Sequence, residues 1–220
     1  MSAASSLKPA LAEYGRAFDG AEVRLSFAGS DVLAAQVRAG ARPDVLAAAN
    51  SKLPAELHAG GLVERPVRFA ANRLVVAVPA ADGRVRRFED LARDGVRIAT
   101  GSPSVPVGAY ASEALARLPA ATRRAIEANV RDREPDAAGV IGKVAQGAVD
   151  AGFVYVTDVR ALGGRLRAIE LPPGAAPPIA YAAAVVRGAE HPEDARRFVR
   201  GLASGAGARA LREAGFEPPP

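Results

Sequence analysis

Four predicted helix starts carry small polar residues, glycine or proline, and these are the positions where this sequence could most readily do chemistry. They are Ser5-Ser6, Gly29-Ser30, Pro106-Val107-Gly108 and Pro135-Asp136-Ala137. The first backbone N–H groups of a helix have no partner inside the helix, and the helix dipole places a partial positive charge there. Several such starts around one point would bind an anion without lysine or arginine. The alternative is that Ser6, Ser30 and Asp136 are simple N-caps, a position that serine and aspartate favour.

Other kinds of active site find little support in the residues. Cysteine is absent and the two histidines, His58 and His191, are far apart in the chain. This pattern excludes disulfides and cysteine-zinc sites and argues against a histidine-based metal site or catalytic triad. The segment from Gly139 to Lys143 lacks the spacing and the hydroxyl of a phosphate-binding loop. We therefore expect no enzyme activity, no metal coordinated directly by the protein and no cofactor.

The charge of the chain does not indicate nucleic-acid binding. Lys and Arg number 29 against 24 Asp and Glu, a formal net charge of +5. The basic residues are scattered, and the densest groups, Arg84-Val85-Arg86-Arg87 and Arg123-Arg124, lie beside acids without interleaved aromatic residues. No stretch of about 18 uncharged apolar residues is present, so no membrane span is predicted. The first residues show no signal peptide.

Strand-like and helix-like segments alternate along the chain, which favours an α/β fold with helices flanking the sheets. The predicted strands are residues 22–27, 44–48, 73–79, 96–100, 152–156, 166–171 and 179–186. The predicted helices include residues 7–18, 30–39, 107–118, 192–203 and 206–214. No strand-like segment precedes Ser5-Ser6, so the first strand of the fold is predicted to be missing.

The order of short motifs along the chain resembles the periplasmic molybdate-binding proteins of ABC importers, which are type II solute-binding proteins. The matching blocks are Ala3-Ala4-Ser5-Ser6-Leu7, Ser26-Phe27-Ala28-Gly29-Ser30, Gly40-Ala41-Arg42-Pro43-Asp44, Pro106-Val107-Gly108-Ala109-Tyr110-Ala111, Gly152-Phe153-Val154-Tyr155 and Gly215-Phe216. The resemblance runs in order from residue 3 to residue 216. No single block is decisive, but the ordered set is specific.

The resemblance implies a tetrahedral oxyanion held by five residues. Ser6 and Ser30 would donate from hydroxyl and backbone groups, Val107 and Ala137 from backbone N–H groups, and Tyr155 from its phenolic O–H. Ser5 remains an alternative to Ser6, which is preferred because it directly precedes Leu7. Residues 135–138 depart from the family pattern, so Ala137 is placed mainly by its distance from Tyr155.

The resemblance also implies an architecture and a role. We expect a two-lobed type II fold with mixed sheets, one lobe formed by residues 1–80 and 181–220 and the other by residues 81–180. The ligand would lie in the cleft, and a hinge motion would close the lobes. The expected protein is a periplasmic or extracytoplasmic monomer that delivers molybdate or tungstate to an ABC permease. Sulfate or another small oxyanion, and an enzyme on the same fold, remain as alternatives.

Overall fold

The computed structural model describes residues 1–81 and 83–219. Contacts divide the chain into two compact units. Unit 1 comprises Met1–Asn72 and Ile179–Pro220, and unit 2 comprises Arg73–Pro178. The chain therefore leaves unit 1 after Asn72 and returns to it after Pro178.

Unit 1 is built on a five-stranded mixed sheet with the order β2-β1-β3-β10-β4. Its strands are β1 (Ser2–Ala4), β2 (Ser26–Ala28), β3 (Val45–Ala48), β4 (Val67–Asn72) and β10 (Ile179–Val185). β1 pairs in parallel with β2 and β3, whereas β10 is antiparallel to β3 and β4. The three parallel strands therefore end at one edge of the sheet.

The strand that the sequence analysis predicted to be missing is present as β1. Ser2, Ala3 and Ala4 pair with Ser26, Phe27 and Ala28 on one side, and Ser2 and Ala3 pair with β3 on the other. Three small residues have no strand-forming pattern of their own. Their conformation is fixed by hydrogen bonding to both neighbours, which sequence periodicity cannot reveal.

The helices of unit 1 cover this sheet with their apolar sides. They are α1 (Lys8–Arg16), which follows a 3-10 turn at Ser5–Leu7, α2 (Ser30–Arg38), α3 (Lys52–Ala59), α8 (Pro192–Ala203) and α9 (Gly205–Glu213). Leu33 and Val37 of α2 are buried against Leu46 of β3. Removal of these side chains from water is what holds the helix on the sheet.

Unit 2 contains a second five-stranded mixed sheet with the order β7-β6-β8-β5-β9. Its strands are β5 (Leu74–Pro79), β6 (Ile98–Gly101), β7 (Val130–Glu134), β8 (Ala151–Tyr155) and β9 (Leu166–Glu170). β6 is parallel to both β7 and β8, and β5 is antiparallel to β8 and β9. As in unit 1, three adjacent strands end at a common edge.

The helices of unit 2 are α4 (Pro106–Ala116), α5 (Ala120–Ala128), α6 (Ala137–Ala145) and α7 (Val156–Arg160), and a 3-10 helix spans Phe88–Ala92. Val140 and Val144 of α6 are buried in a core cluster with Val75 and Ala99 of the sheet. A Cβ on Gly152 of β8 would lie 2.7 Å from Val140 Cγ1. Glycine at this position therefore lets α6 lie close against the strand.

Two mixed sheets flanked by helices confirm the predicted fold class. The structure adds elements that the sequence analysis did not propose, namely β4, β7, α3, α5 and α7. The predicted strand at residues 22–27 is wrong in extent, because only Ser26–Ala28 pairs with the short β1. Within the described residues, no helix has the length and apolar character needed to cross a membrane.

Candidate functional site

Two of the five predicted ligand residues lie in unit 1, at the edge where its parallel strands end. β1 ends at Ala4 and leads into the 3-10 turn that contains Ser6, and β2 ends at Ala28 and leads through Gly29 into α2. Ala4 and Ala28 are register partners. The two serine turns therefore leave neighbouring strands at the same level. In open α/β sheets, ligands bind beyond this carboxyl edge.

Ser6 is buried and its hydroxyl is bonded within unit 1. The residue is 5% exposed, and its Oγ lies 3.0 Å from the phenolic oxygen of Tyr181 in β10. The 3-10 turn has no side-chain cap, so Ser6 does not act as an N-cap. Its rival, Ser5, is more exposed in the same turn.

Ser30 is the first residue of α2 and not its cap. The N-cap is Gly29, and no side chain caps the helix. Ser30 is 2% exposed, and its Oγ accepts a hydrogen bond from the backbone N–H of Ala49 at 3.0 Å. Because this bond uses a lone pair of the hydroxyl, the Ser30 proton remains available to a ligand. The simple N-cap interpretation of Ser6 and Ser30 is therefore wrong.

The other three predicted ligand residues lie in unit 2, where β6, β7 and β8 end side by side. β6 is followed by the start of α4 with Val107, β7 by the start of α6 with Ala137, and Tyr155 is the last residue of β8. Unit 2 thus brings its three nominated residues to one edge of its own sheet. Unit 1 does the same with its two serines.

Val107 occupies the first turn of α4, directly after Pro106. Its N–H therefore has no acceptor four residues earlier within the helix. A Cβ on the next residue, Gly108, would lie 2.1 Å from the backbone oxygen of Ser102 and 2.3 Å from that of Gly101. Glycine at position 108 lets the start of the helix approach the end of β6 this closely, which positions the Val107 N–H.

Ala137 is the first residue of α6, and Asp136 is its N-cap. The Asp136 carboxylate accepts a hydrogen bond from the backbone N–H of Gly139 at 2.9 Å. For Asp136 the cap interpretation is therefore confirmed. The cap leaves the N–H of Ala137 in the unpartnered first turn of the helix, where the dipole favours an anion.

Tyr155 is almost fully buried, and its backbone is held by Asp158 in α7. The Tyr155 N–H donates to Asp158 Oδ2 at 3.0 Å. Burial raises the pKa of the Asp158 carboxyl to about 7, the hydrogen bond from Tyr155 opposes the rise, and the charge of Asp136 adds to it. An acid with a raised pKa therefore lies beside the residue proposed to donate its phenolic O–H.

Sequence reasoning missed Tyr181 and Asn72. The Tyr181 hydroxyl is hydrogen-bonded to the site residue Ser6, and Asn72 is hydrogen-bonded to Tyr181. Asn72 Nδ2 donates to the Tyr181 hydroxyl at 3.4 Å. Tyr181 stands in an apolar strand segment, typical of a core aromatic residue, and Asn72 ends a strand that was not predicted. The one available signal was a polar phenol within an otherwise apolar run, since a buried Tyr O–H usually has a partner.

No group of three or more metal-ligating residues occurs in the described part of the chain. His58 Nδ1 lies 3.1 Å from the backbone oxygen of Val63, and His191 Nδ1 lies 3.7 Å from an oxygen of Asp44. His58 thus contacts a backbone oxygen five positions away, and His191 contacts a carboxylate 147 positions away. The arrangement described above instead offers hydroxyl and backbone donors, which suit a small anion.

Two α/β units with donor groups at the carboxyl ends of parallel strands are the architecture of the two-lobed solute-binding proteins. The periplasmic molybdate-binding protein of Azotobacter vinelandii has this fold, with a TM-score of 0.86 at 22% identity over 100% of this chain and 98% of that one. The family model for bacterial extracellular solute-binding proteins matches residues 1–217. The chain belongs to this family.

Two relatives show similarity in sequence as well. The molybdate-binding protein ModA of Mycobacterium tuberculosis is 35% identical over 223 residues, covering 99% of this chain and 83% of its own. ModA of Haemophilus influenzae is 29% identical over 207 residues, covering 89% of this chain and 78% of its own.

Proposed function

We propose that this protein captures molybdate or tungstate outside the cytoplasm and delivers it to the permease of an ABC transporter. The main observation in support is that each nominated residue offers a hydrogen-bond donor at the carboxyl edge of parallel strands. The similarity to ModA proteins over nearly the whole chain supports the choice of anion. The oxyanion is a cargo in this proposal, so the protein needs no cofactor.

The proposed ligand residues are Ser6 and Ser30 of unit 1 and Val107, Ala137 and Tyr155 of unit 2. None of the five is a carboxylic acid, a histidine or a lysine, and Tyr155 is the one side chain among them of a type that can serve as a general acid or base. A binding protein is therefore favoured over an enzyme. Its partners would be the oxyanion and the permease, and it would act as a monomer.

The donor chemistry also favours a fully deprotonated oxyanion. Molybdate, tungstate and sulfate carry no proton at neutral pH, whereas phosphate is partly protonated and needs an acceptor in its site. The five nominated positions supply mostly hydrogen-bond donors. Phosphate is therefore disfavoured, and sulfate is separated from molybdate mainly by size.

Titration calorimetry with molybdate, tungstate, sulfate and phosphate, each in the same buffer, tests this proposal. We expect tight binding with one site per chain for molybdate and tungstate, and affinity at least tenfold weaker for sulfate and phosphate, a difference of about 1.4 kcal/mol or more. A preference for sulfate or phosphate would overturn the specificity but not the fold. Absence of binding for all four anions would overturn the function.

A further inference from the structure

We propose that Tyr181 and Asn72 are positioning residues that hold the Ser6 hydroxyl as a hydrogen-bond donor to the bound oxyanion. This inference rests on the proposed function and deepens it. The three residues form a hydrogen-bonded relay within unit 1 that runs from Asn72 through Tyr181 to Ser6. Neither Tyr181 nor Asn72 belongs to the five nominated ligand residues.

The relay joins three distant parts of the chain in the core of unit 1. Ser6 lies in the turn after β1, Asn72 is the last residue of β4, and Tyr181 lies in β10. The Tyr181 oxygen is 3.0 Å from Ser6 Oγ and 3.4 Å from Asn72 Nδ2. Ser6 and Asn72 are each 5% exposed and Tyr181 is 0% exposed. Polar groups buried to this degree need partners, and here they supply them to one another.

The chemistry of the three groups gives the relay a direction. The amide nitrogen of Asn72 can only donate, so the Tyr181 oxygen accepts from it. Either oxygen of the Ser6–Tyr181 pair could donate, and the proposal assigns the donated proton to Tyr181, with Ser6 Oγ as its acceptor. A dianion accepts hydrogen bonds and donates none, so the Ser6 proton is directed to the ligand. Hydrogen bonds arranged in series polarise one another, which strengthens the terminal donor.

The ring of Tyr181 is fixed by aromatic contacts that do not involve its hydroxyl. It packs edge-on against Phe69 at 6.2 Å and against Phe216 at 5.3 Å between ring centroids. These contacts hold the phenolic oxygen at its place beside Ser6. Because these contacts are made by the ring, Tyr181→Phe keeps the packing and removes only the hydroxyl that bonds to Ser6 and Asn72.

A double-mutant cycle with molybdate calorimetry tests the relay. The variants are Tyr181→Phe, Ser6→Ala and the double variant, each checked by thermal unfolding. We expect Tyr181→Phe to weaken molybdate binding by about three- to tenfold, the range given by a neutral hydrogen bond. In the Ser6→Ala background, the same change should alter affinity by less than about twofold, because the group it acts through is gone.

Tyr14→Phe is the matched control. Tyr14 is another buried tyrosine of unit 1, and its hydroxyl donates to the backbone oxygen of Phe198 at 3.2 Å, away from Ser6. Its loss should lower stability without changing affinity. If Tyr181→Phe does not fold, Asn72→Ala takes its place, with a smaller loss that should also vanish in the Ser6→Ala background.

Three results would overturn the relay. They are parent-like affinity in Tyr181→Phe, an equal loss with and without Ser6, and an equal loss in Tyr14→Phe. A parent protein that binds none of the four anions would instead reject the proposed function, and the relay with it. Binding by the parent without coupling between residues 6 and 181 would reject the relay alone.

Discussion

The hydroxyl oxygen of Ser30 accepts a hydrogen bond from the backbone N–H of Ala49 at 3.0 Å, which links the start of α2 to the segment after β3. The bond is buried and does not involve the helix to which Ser30 belongs. The Ser30 oxygen therefore satisfies a buried backbone donor. The hydroxyl proton is not used in that bond, so it can be donated to a ligand.

Ser30→Ala should consequently reduce both ligand affinity and stability. Loss of a hydrogen bond to a charged group weakens molybdate binding by roughly ten- to a hundredfold. The Ala49 N–H also loses its acceptor, so the free energy of unfolding should fall by about 1–3 kcal/mol. Calorimetry and urea denaturation measure the two effects. A folded variant that binds molybdate like the parent would remove Ser30 from the site.

Ser204→Ala is the control for this change. Ser204 also stands at a helix start in unit 1, but it is exposed and its hydroxyl donates to the Arg200 backbone oxygen. It should leave molybdate affinity unchanged. A comparable loss of affinity in both variants would mean that the effect of Ser30→Ala is general and not local.

Ala137→Pro isolates the backbone donor of α6. Proline is well tolerated as the first residue of a helix, and Asp136 already has the extended backbone that a residue before proline prefers, at φ −163° and ψ 176°. The change deletes one N–H and little else. We expect the variant to fold and to bind molybdate at least tenfold more weakly, because a bond to a charged group is lost.

Ala120→Pro makes the same change at the first residue of α5, outside the nominated residues. Its affinity should match that of the parent. If Ala137→Pro melts like the parent and retains full affinity, the Ala137 N–H is not a ligand.

Asp158→Asn should change the pH dependence of stability. The pKa of this carboxyl is raised to about 7 in the folded protein, above its ordinary value of 3.8. The folded state therefore binds the proton more tightly than the unfolded state. As pH rises from about 4 through 7, ionisation of Asp158 removes stability from the parent. Asparagine keeps an oxygen to accept from the Tyr155 N–H and does not ionise.

The variant should therefore gain stability relative to the parent as pH rises. We expect a relative gain of about 1–3 kcal/mol between pH 4.5 and 8, since each pKa unit is worth about 1.4 kcal/mol and partial exposure of Asp158 reduces the effect. Urea denaturation of both proteins at each pH measures it. A stability difference that stays constant with pH would show that Asp158 does not titrate in this range.

Gly108→Ala should strongly destabilise unit 2. The added Cβ would lie 2.1 Å from the Ser102 backbone oxygen, and backbone cannot move aside as a flexible side chain does. We expect a loss of about 2–4 kcal/mol in the free energy of unfolding, typical of severe steric conflict. Gly142→Ala, inside α6 with open space around the new Cβ, should instead gain about 0.5–1 kcal/mol. Equal effects of the two changes would contradict the close approach of α4 to β6.

Much of the fold could be predicted because its central elements have clear apolar patterns. The strand predicted at residues 73–79 is continuously apolar after Arg73, and it forms β5 as Leu74–Pro79. β7 could not be found in this way. Its sequence at Val130–Glu134 is largely charged because it is the edge strand of its sheet, with alternate residues in solvent. The sequence of such an exposed edge strand shows no hydrophobic periodicity from which a strand could be predicted.

The candidate site was predicted in part for a comparable reason. Ser6, Ser30 and Val107 stand beside strand ends and helix starts, which short motifs mark well, whereas Ala137 is placed mainly by its distance from Tyr155. The residues that form hydrogen bonds with these serines are not indicated by any short motif. Ser6 meets Tyr181 across 175 positions, and Ser30 meets the N–H of Ala49. Such contacts depend on the register of β3 and β10 in the sheet, which a single sequence does not specify.

Elemental analysis after competition dialysis tests the central claim most directly. The protein is dialysed against an equimolar mixture of molybdate, tungstate, sulfate and phosphate, then passed rapidly through a desalting column. The chain contains one methionine and no cysteine, so its own sulfur is one atom per chain. We expect molybdenum and tungsten together to reach one atom per chain, with sulfur unchanged and phosphorus absent. A second sulfur atom or a phosphorus atom per chain, without molybdenum or tungsten, would contradict the account.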